Sequence, residues 1–482
     1  MSSKMLKVLF VASEAVPFIK TGGLADVAGS LPKELQVQGL DVRVVIPKYS
    51  SIPEQYTSKM KHIYDGIVNV AWRQQFCGVK CLEYNGIKTY FIDNEQYFNR
   101  DALYGYDDDA ERFSFFCRAV LEMLPQIDFI PDVIHCNDWH TGLVSVLLKA
   151  EYGQAELYSH IRTIYTIHNL KYQGVFAKEI MSDVLGLDWK HYNEGGLECD
   201  NCVNFMKGAI VYSDYITTVS ETYAKEIQYP YYGEGLDGLL RDRWQYLQGI
   251  VNGIDYELYD PKTDKRIFAN YDVTTIEKKA ENKVKLQQQL GLPVRRDVPM
   301  LAIVARLVSA KGLDLIEHII DELIQNEDVQ LVVLGTGDRE YEDLFRTLAW
   351  HYPTKVSANI TFNNDLAHRI YAASDIFLMP SQYEPCGIGQ LIALHYGSIP
   401  VVRETGGLKD TVHSYNKYSR VGNGFTFANY NAHEVLFSIK RALGYYSDSS
   451  IWEKVVINAM NSDYSWTQSA KQYKELYYRL KK

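Results

Sequence analysis

Leu6-Lys7-Val8-Leu9-Phe10-Val11-Ala12, followed eight residues later by Lys20-Thr21-Gly22-Gly23-Leu24-Ala25-Asp26, is the stretch that decides the fold. The first run is apolar on both alternations rather than one, as a strand buried on both faces of a parallel sheet must be. The second is a glycine turn leading into helical spacing. The pattern recurs at Val42–Pro47, Val133–Cys136, Thr163–Ile167, Tyr215–Val219, Met300–Ala305, Val329–Leu334, Asp375–Met379 and Ile399–Val402. Longer stretches with helical spacing separate these runs. Strand–helix alternation over the whole chain predicts an α/β protein with parallel sheets covered by helices.

From Asn252 to about Pro299 the rhythm breaks and the chain turns polar, rich in Lys and Gln between Glu277 and Gln289. Asn252-Gly253-Ile254-Asp255 reads as a turn. The expected organisation is a first domain over 1–251, a second over 252–464, and a last helix over 465–482. Trp466, Ala470, Tyr473, Leu476 and Leu480 give that helix its apolar spacing. Thr21-Gly22-Gly23-Leu24-Ala25-Asp26 returns as Thr405-Gly406-Gly407-Leu408-Lys409-Asp410, after a strand in each half. Two related halves would produce this echo.

A chain of 482 residues, 46% of them hydrophobic, buries large cores without staples. Its 60 acidic and 50 basic side chains give a formal net charge of −10, which argues against a nucleic-acid binder working by bulk charge. Seven cysteines scattered along the chain are no disulfide framework and suit a reducing compartment. The run at Val8–Ala12 is too short for a signal sequence, and nothing is long enough to span a membrane. A cytoplasmic protein without membrane or nucleic-acid partners is expected.

In open parallel sheets, ligands bind at the carboxyl ends of the strands. Those exits carry Glu14, Lys20 and Gly22-Gly23; Asp138 with Trp139-His140; His168-Asn169; Arg306 and Lys311; Gly335-Thr336-Gly337; Glu384-Pro385-Cys386-Gly387; and Arg403 with Thr405-Gly406-Gly407. Polar, glycine-rich exits in both halves imply a cleft between two domains. Lys20-Thr21-Gly22-Gly23 suits an anion, because glycine amides and a helix start approach a phosphate and Lys adds charge. It lacks P-loop spacing and is also compatible with a plain glycine turn. Arg306 and Lys311 could clamp a diphosphate without metal, or form a solvated basic turn. Cys386 sits near a helix start but has no evident His base, so packing or substrate contact is favoured over nucleophilic chemistry. Asp107-Asp108-Asp109 reads as a solvated acidic turn rather than a metal site. Cys199 and Cys202 have no companion pair at zinc spacing.

On Lys20 through Val27, His135 through His140, Thr166 through Asn169, Gly249 through Asp255, Ala305-Arg306-Leu307 with Lys311 through Asp314, Ser381 through Gly387 and Thr405 through Leu408, the chain resembles the glycogen and starch synthase family over its whole length. The resemblance implies a GT-B fold: two Rossmann-like domains whose parallel sheets face each other across a deep cleft, with the last helix crossing back to the first domain. It implies a metal-independent hexosyltransferase without cofactor. Glucose passes from ADP-glucose to the non-reducing end of glycogen or another α-1,4-glucan primer, with retention of configuration. Arg306 and Lys311 would then hold the diphosphate, with Lys20, Gly22, Gly23 and Asp26 helping and Thr405, Gly406 and Gly407 closing over it. Glu384 would hold the donor glucose beside Cys386, Gly387 and Ile388. His168, Asn169 and Asn252 would lie at the sugar, Asp138 at the acceptor, and Gly335 and Phe362 at the nucleotide. Ile388 stands where the family usually has Leu. Phe362 stands where it often has Tyr, which leaves base preference open. The short N-terminus favours the bacterial enzyme over plastid relatives. The rivals are a related transferase using UDP-glucose and a catalytically silent glucan-binding paralogue.

Overall fold

The structure is a computed structural model that describes residues 5–481. Residues 1–4 and Lys482, which the expected domain bounds include, lie outside the described residues. The chain divides into two units, Met1–Asn252 with Trp466–Lys482, and Gly253–Ser465.

The first unit is built on β1 (Lys7–Val11), β2 (Asp41–Pro47), β3 (Lys61–Val70), β4 (Arg73–Tyr84), β5 (Ile87–Asp93), β6 (Val133–Asn137), β7 (Arg162–Ile167), β11 (Tyr215–Thr218) and β12 (Leu247–Gly249). Among the described residues they form one sheet in the order β12-β11-β7-β6-β1-β2-β5-β4-β3. The strands from β12 to β5 run parallel; β1, β2, β6, β7 and β11 are the apolar runs of the sequence, and β5 and β12, which are not among those runs, join them. Val8, Leu9 and Phe10 of β1 are all wholly buried, each contributing about 1.5–3 kcal/mol of transfer free energy. A small antiparallel sheet, β8 (Val175–Ala177), β9 (Glu198–Cys199) and β10 (Cys202–Asn204), hangs from the same unit.

The alternation does not hold over the whole chain. Residues 61–93 are three successive strands, and β3 and β5 both pair with β4 antiparallel. β3 is an edge strand whose side chains are mostly exposed or half-buried. It needs no continuous apolar run, so it leaves none in the sequence.

The second unit carries β13 (Met300–Val304), β14 (Gln330–Leu334), β15 (Val356–Asn359), β16 (Ile376–Met379), β17 (Ile399–Arg403) and β18 (Phe425–Phe427). They lie in the order β15-β14-β13-β16-β17-β18, all parallel. This is a doubly wound sheet, and its order reverses between β13 and β16. In the first unit the reversal falls between β1 and β6.

The last helix, Trp466–Lys481, belongs to the first unit. Tyr477 meets buried His135 of β6 at 2.8 Å, and Lys474 Nζ donates to the Gln38 carbonyl at 2.6 Å. The unit bounds differ by one residue from the expected ones, with Asn252 in the first unit and Ser465 in the second. Ser469 Oγ donates to the Val251 carbonyl at 2.6 Å, while the Ile254 N–H donates to the Tyr464 carbonyl at 2.9 Å. Each crossing of the chain is therefore tied down within its own unit.

Candidate functional site

Where a parallel sheet reverses its order, the two diverging connections leave a crevice at the strand exits. In the first unit that crevice lies beyond β1 and β6, where Glu14 and Asp138 sit. Glu14 is 3% exposed, and burial raises its pKa above the ordinary carboxylate value. It accepts hydrogen bonds from the Thr21 N–H at 2.5 Å and the Thr21 hydroxyl at 2.8 Å, and also from the Gly22 N–H. Part of the amide cradle expected for a phosphate is thus filled by the chain's own carboxylate. Lys20 is held in the same way: its ammonium lies 2.7 Å from both oxygens of Asp26. Asp26 is the counter-ion of Lys20 in this structure, and Gly23 opens the helix Gly23–Val37. The sequence reading gave Glu14 no role. Its signal was an acid directly after a wholly apolar strand, which is a poor place for one without a partner.

Asp138 follows β6 at φ 56° and ψ 175°, close to a region that glycine alone favours. Its Oδ1 accepts the His168 N–H at 2.9 Å. Burial nonetheless drives its pKa up to about 7, with repulsion from Glu14 in the same direction. A strained backbone and a displaced pKa on one residue make Asp138 a candidate functional position.

His168 ends β7. Asn137 Nδ2 donates to the Val11 and His135 carbonyls at 3.0 and 3.2 Å, which fixes its Oδ1 as the atom facing His168 Nε2 at 2.9 Å. Nε2 therefore carries the hydrogen, and Nδ1 is left as an acceptor. Burial lowers the ring's pKa to about 3, so the imidazole is neutral at physiological pH. It can accept from a hydroxyl but brings no charge. Asn169 turns the chain, its Oδ1 accepting the Lys171 N–H at 3.1 Å. A pocket of about 390 Å³ adjoins these exits, lined by Tyr106, Asp109, Trp139 and Lys171–Phe176. Its mixture of aromatic faces and polar groups suits a sugar. Asn252 closes this unit, buried and with its side-chain oxygen unpartnered.

In the second unit the crevice lies beyond β13 and β16. Lys311 Nζ lies 2.6 Å from Glu384 Oε2, which also accepts the Ser381 hydroxyl at 3.1 Å. Glu384 is 8% exposed. Arg306 is exposed and makes no ion pair or side-chain hydrogen bond among the described residues. Gly335 leaves β14 with its N–H on the Asn359 carbonyl at 3.2 Å. Phe362, beyond β15, is 89% exposed.

Glu384-Pro385-Cys386 is overlaid by Thr405-Gly406-Gly407. The Gly407 N–H donates to the Glu384 and Pro385 carbonyls, both at 3.1 Å. A Cβ on Gly406 would fall 2.0 Å from the Glu384 oxygen, and one on Gly407 2.0 Å from the Cys386 oxygen. Two backbones this close leave room for hydrogen only, which is why both positions are glycine. Thr405 and Cys386 are buried. Gly387 takes φ 76°, and half-buried Ile388 starts the helix Gly389–His395. The acidic turn set aside in the sequence is structural: Asp108 pairs with Arg100 at 2.7 Å, and Asp109 pairs with buried Arg112.

Glu14 and Asp138 thus lie at the switch point of the first unit and Arg306, Lys311 and Glu384 at that of the second, whereas Asn252, Gly335 and Phe362 follow other strands. The first offers neutral acceptors and carboxyls beside a sugar-sized pocket. The second offers two cations and a carboxylate. Residues 7–242 match the family model described as starch synthase catalytic domain, and 286–450 match glycosyl transferases group 1. A glycogen synthase of Desulforamulus reducens is 56% identical over 98% of this chain and 99% of its own. One of Clostridium perfringens is 56% identical over 99% of each. The solved catalytic domain of starch synthase IV from Arabidopsis thaliana is 34% identical, with a TM-score of 0.91 over 99% of this chain and 100% of that one. The fold is the GT-B fold of glycosyltransferases. Identity of this order over nearly the full length of both chains means that the chain belongs to the bacterial glycogen synthase family.

Proposed function

We propose that this chain transfers glucose from ADP-glucose to the non-reducing end of an α-1,4-glucan in the cytoplasm, with retention of configuration and without a metal. The observation that carries the reading is the grouping of Arg306, Lys311 and Glu384 at the switch point of the Gly253–Ser465 unit. Breaking a glycosyl–phosphate bond puts negative charge on the departing diphosphate, and two cations at the strand exits stabilise that charge as it grows. Lys311 turns from Glu384 to the phosphate, and Glu384 is then free to accept from donor-sugar hydroxyls. The leaving phosphate takes the proton of the acceptor hydroxyl, so no enzyme carboxylate forms a covalent intermediate. The exposed ring of Phe362 supports stacking on a base, and the Arabidopsis starch synthase IV domain was solved bound to ADP and acarbose. Asp138, the bare Nδ1 of His168 and the pocket beside Trp139 suit the acceptor.

The test is incorporation of radiolabelled glucose into precipitable glycogen, from ADP-glucose and UDP-glucose side by side, with EDTA present. Incorporation mainly from ADP-glucose and indifferent to EDTA is expected. A preference for UDP-glucose would overturn the nucleotide, and loss with EDTA the metal-free mechanism. A folded chain that binds glycogen and transfers nothing would be a silent paralogue.

A further inference from the structure

Cys199-Asp200-Asn201-Cys202 lies outside every group used above. Asp200 and Asn201 both take positive φ, 51° and 61°, so they form a two-residue hairpin turn of the kind that matches the twist of its strands. Glu198 Oε1 braces the turn by accepting the Asn201 N–H at 3.0 Å. Cys199 of β9 and Cys202 of β10 are direct partners in the antiparallel ladder. Their side chains therefore leave the same face of the sheet. The residues flanking a two-residue turn form a hydrogen-bonded pair with Cα atoms about 5.5 Å apart. A disulfide needs roughly 4.4–6.8 Å.

The other five cysteines are buried, whereas Cys199 and Cys202 are both partly exposed. Burial pushes the Cys77 and Cys136 thiols up to about 12 and Cys117 well above its ordinary value, so they stay protonated. Cys77 and Cys81 lie four positions apart on β4, about 13 Å, and cannot bridge. Burial also raises Cys199, against the opposing influence of Lys207. A zinc reading has no support, because no cluster of three or more His, Cys, Asp or Glu exists among the described residues.

We propose that Cys199 and Cys202 are a reversible thiol–disulfide exchange site whose co-substrate is a small-molecule disulfide of the glutathione class. One thiolate attacks a sulfur of the external disulfide, breaking its S–S bond and expelling one thiol. The second cysteine attacks the mixed disulfide, forms the Cys199–Cys202 bond and expels the other thiol. Two electrons and two protons leave the protein and end on the two released thiols. A hydrogen-bonded ladder pair holds its Cβ atoms wider apart than a relaxed disulfide does, so the bond forms under tension and is readily reduced. Reversibility follows from that geometry. The link would lock β10, whose other neighbour β8 supplies Val175 and Phe176 to the pocket beside Trp139.

The test uses the full chain, equilibrated over a series of ratios of reduced to oxidised glutathione and then unfolded and alkylated. Trypsin releases both cysteines, and no others, in the peptide 191–207. At oxidising ratios this peptide should be two hydrogens lighter and carry no alkyl group. Dithiothreitol should restore both alkylation sites, and the five buried cysteines should remain fully alkylated. In Cys199→Ser and Cys202→Ser the remaining cysteine should instead carry a glutathione adduct. Two alkyl groups on the wild-type peptide at the most oxidising ratio would overturn the proposal. Separate glutathione adducts on both wild-type cysteines, or equal oxidation of the buried ones, would overturn it too.

Discussion

Asp138→Asn should stabilise the first unit, and should do so in a pH-dependent way. The substitution keeps the shape and leaves Oδ1 to accept the His168 N–H. It removes an ionisable carboxyl whose pKa rises from 3.8 to about 7 on folding. Between those values the folded chain holds a proton that the unfolded chain has released, so wild-type stability falls as pH rises through the window. Below the window both states are protonated and nothing is lost. Above it the full loss stands, about 4 kcal/mol at 1.36 kcal/mol per pH unit. The carboxyl is only partly buried, and solvent screening reduces this to about 2 kcal/mol. For a unit of this size that is a Tm gain of about 4–8 °C at pH 8. At pH 5 the gain should be roughly a third as large, since most of the window lies above that pH. Relief of repulsion on Glu14 acts in the same direction. The assay is thermal unfolding of wild type and variant at pH 5 and pH 8, where the difference between them isolates position 138. Equal gains at the two pH values, or a larger gain at pH 5, would refute the argument. Glucose incorporation by the stabilised variant should fall, because a group retained at a stability cost is one the reaction uses.

Arg306→Ala removes a side chain with no intramolecular partner, so stability should change by no more than about 0.5 kcal/mol while transfer falls roughly 100-fold or more. Denaturant unfolding and the radiolabel assay check the two halves of that statement, and unchanged turnover would remove Arg306 from the clamp. Gly407→Ala drives a methyl group into the Cys386 backbone, 2.0 Å from its oxygen, and should cost the second unit about 2 kcal/mol or more, read as a lower denaturant midpoint. Tyr477→Phe leaves the Nδ1 of wholly buried His135 without its partner and should cost about 1–3 kcal/mol in the same measurement.

The sequence shows what the parallel sheets demand of it. A strand covered on both faces has to be apolar throughout, so β1, β6, β13 and β16 stand out as runs, and the residues after them fall on one edge of the sheet. That is why Asp138, Arg306 and Glu384 could be read from position alone. The β3–β4 hairpin was not read, because a half-exposed antiparallel pair tolerates Lys, Gln and Asp along its length. What Glu14 does was hidden for a different reason. Its hydrogen bonds to Thr21 and Gly22 depend on how the chain folds back between β1 and the following helix, and no spacing rule encodes that return. The same holds for Asn137, whose orientation sets the His168 tautomer through two carbonyls from separate strands.

The positive groups assigned to phosphate are mostly paired within the chain itself. Asp26 holds Lys20, Glu14 holds amides of the glycine loop, and Glu384 holds Lys311. These contacts fix the groups in place; the partly exposed Lys20–Asp26 pair, worth about 1 kcal/mol, yields readily to a phosphate, whereas Lys311 sits against a buried carboxylate and gives way less easily. The exchange swaps one anion for another, so it returns little net affinity. Arg306 alone among the clamp residues brings an uncommitted charge. With ADP as the probe, Arg306→Ala should therefore weaken binding more than Lys311→Ala, and Glu384→Gln, which frees Lys311, should tighten it while abolishing transfer. Calorimetric titration of the three variants decides the matter. Weaker ADP binding by Glu384→Gln would mean that the carboxylate orients Lys311 toward the phosphate rather than competing for it.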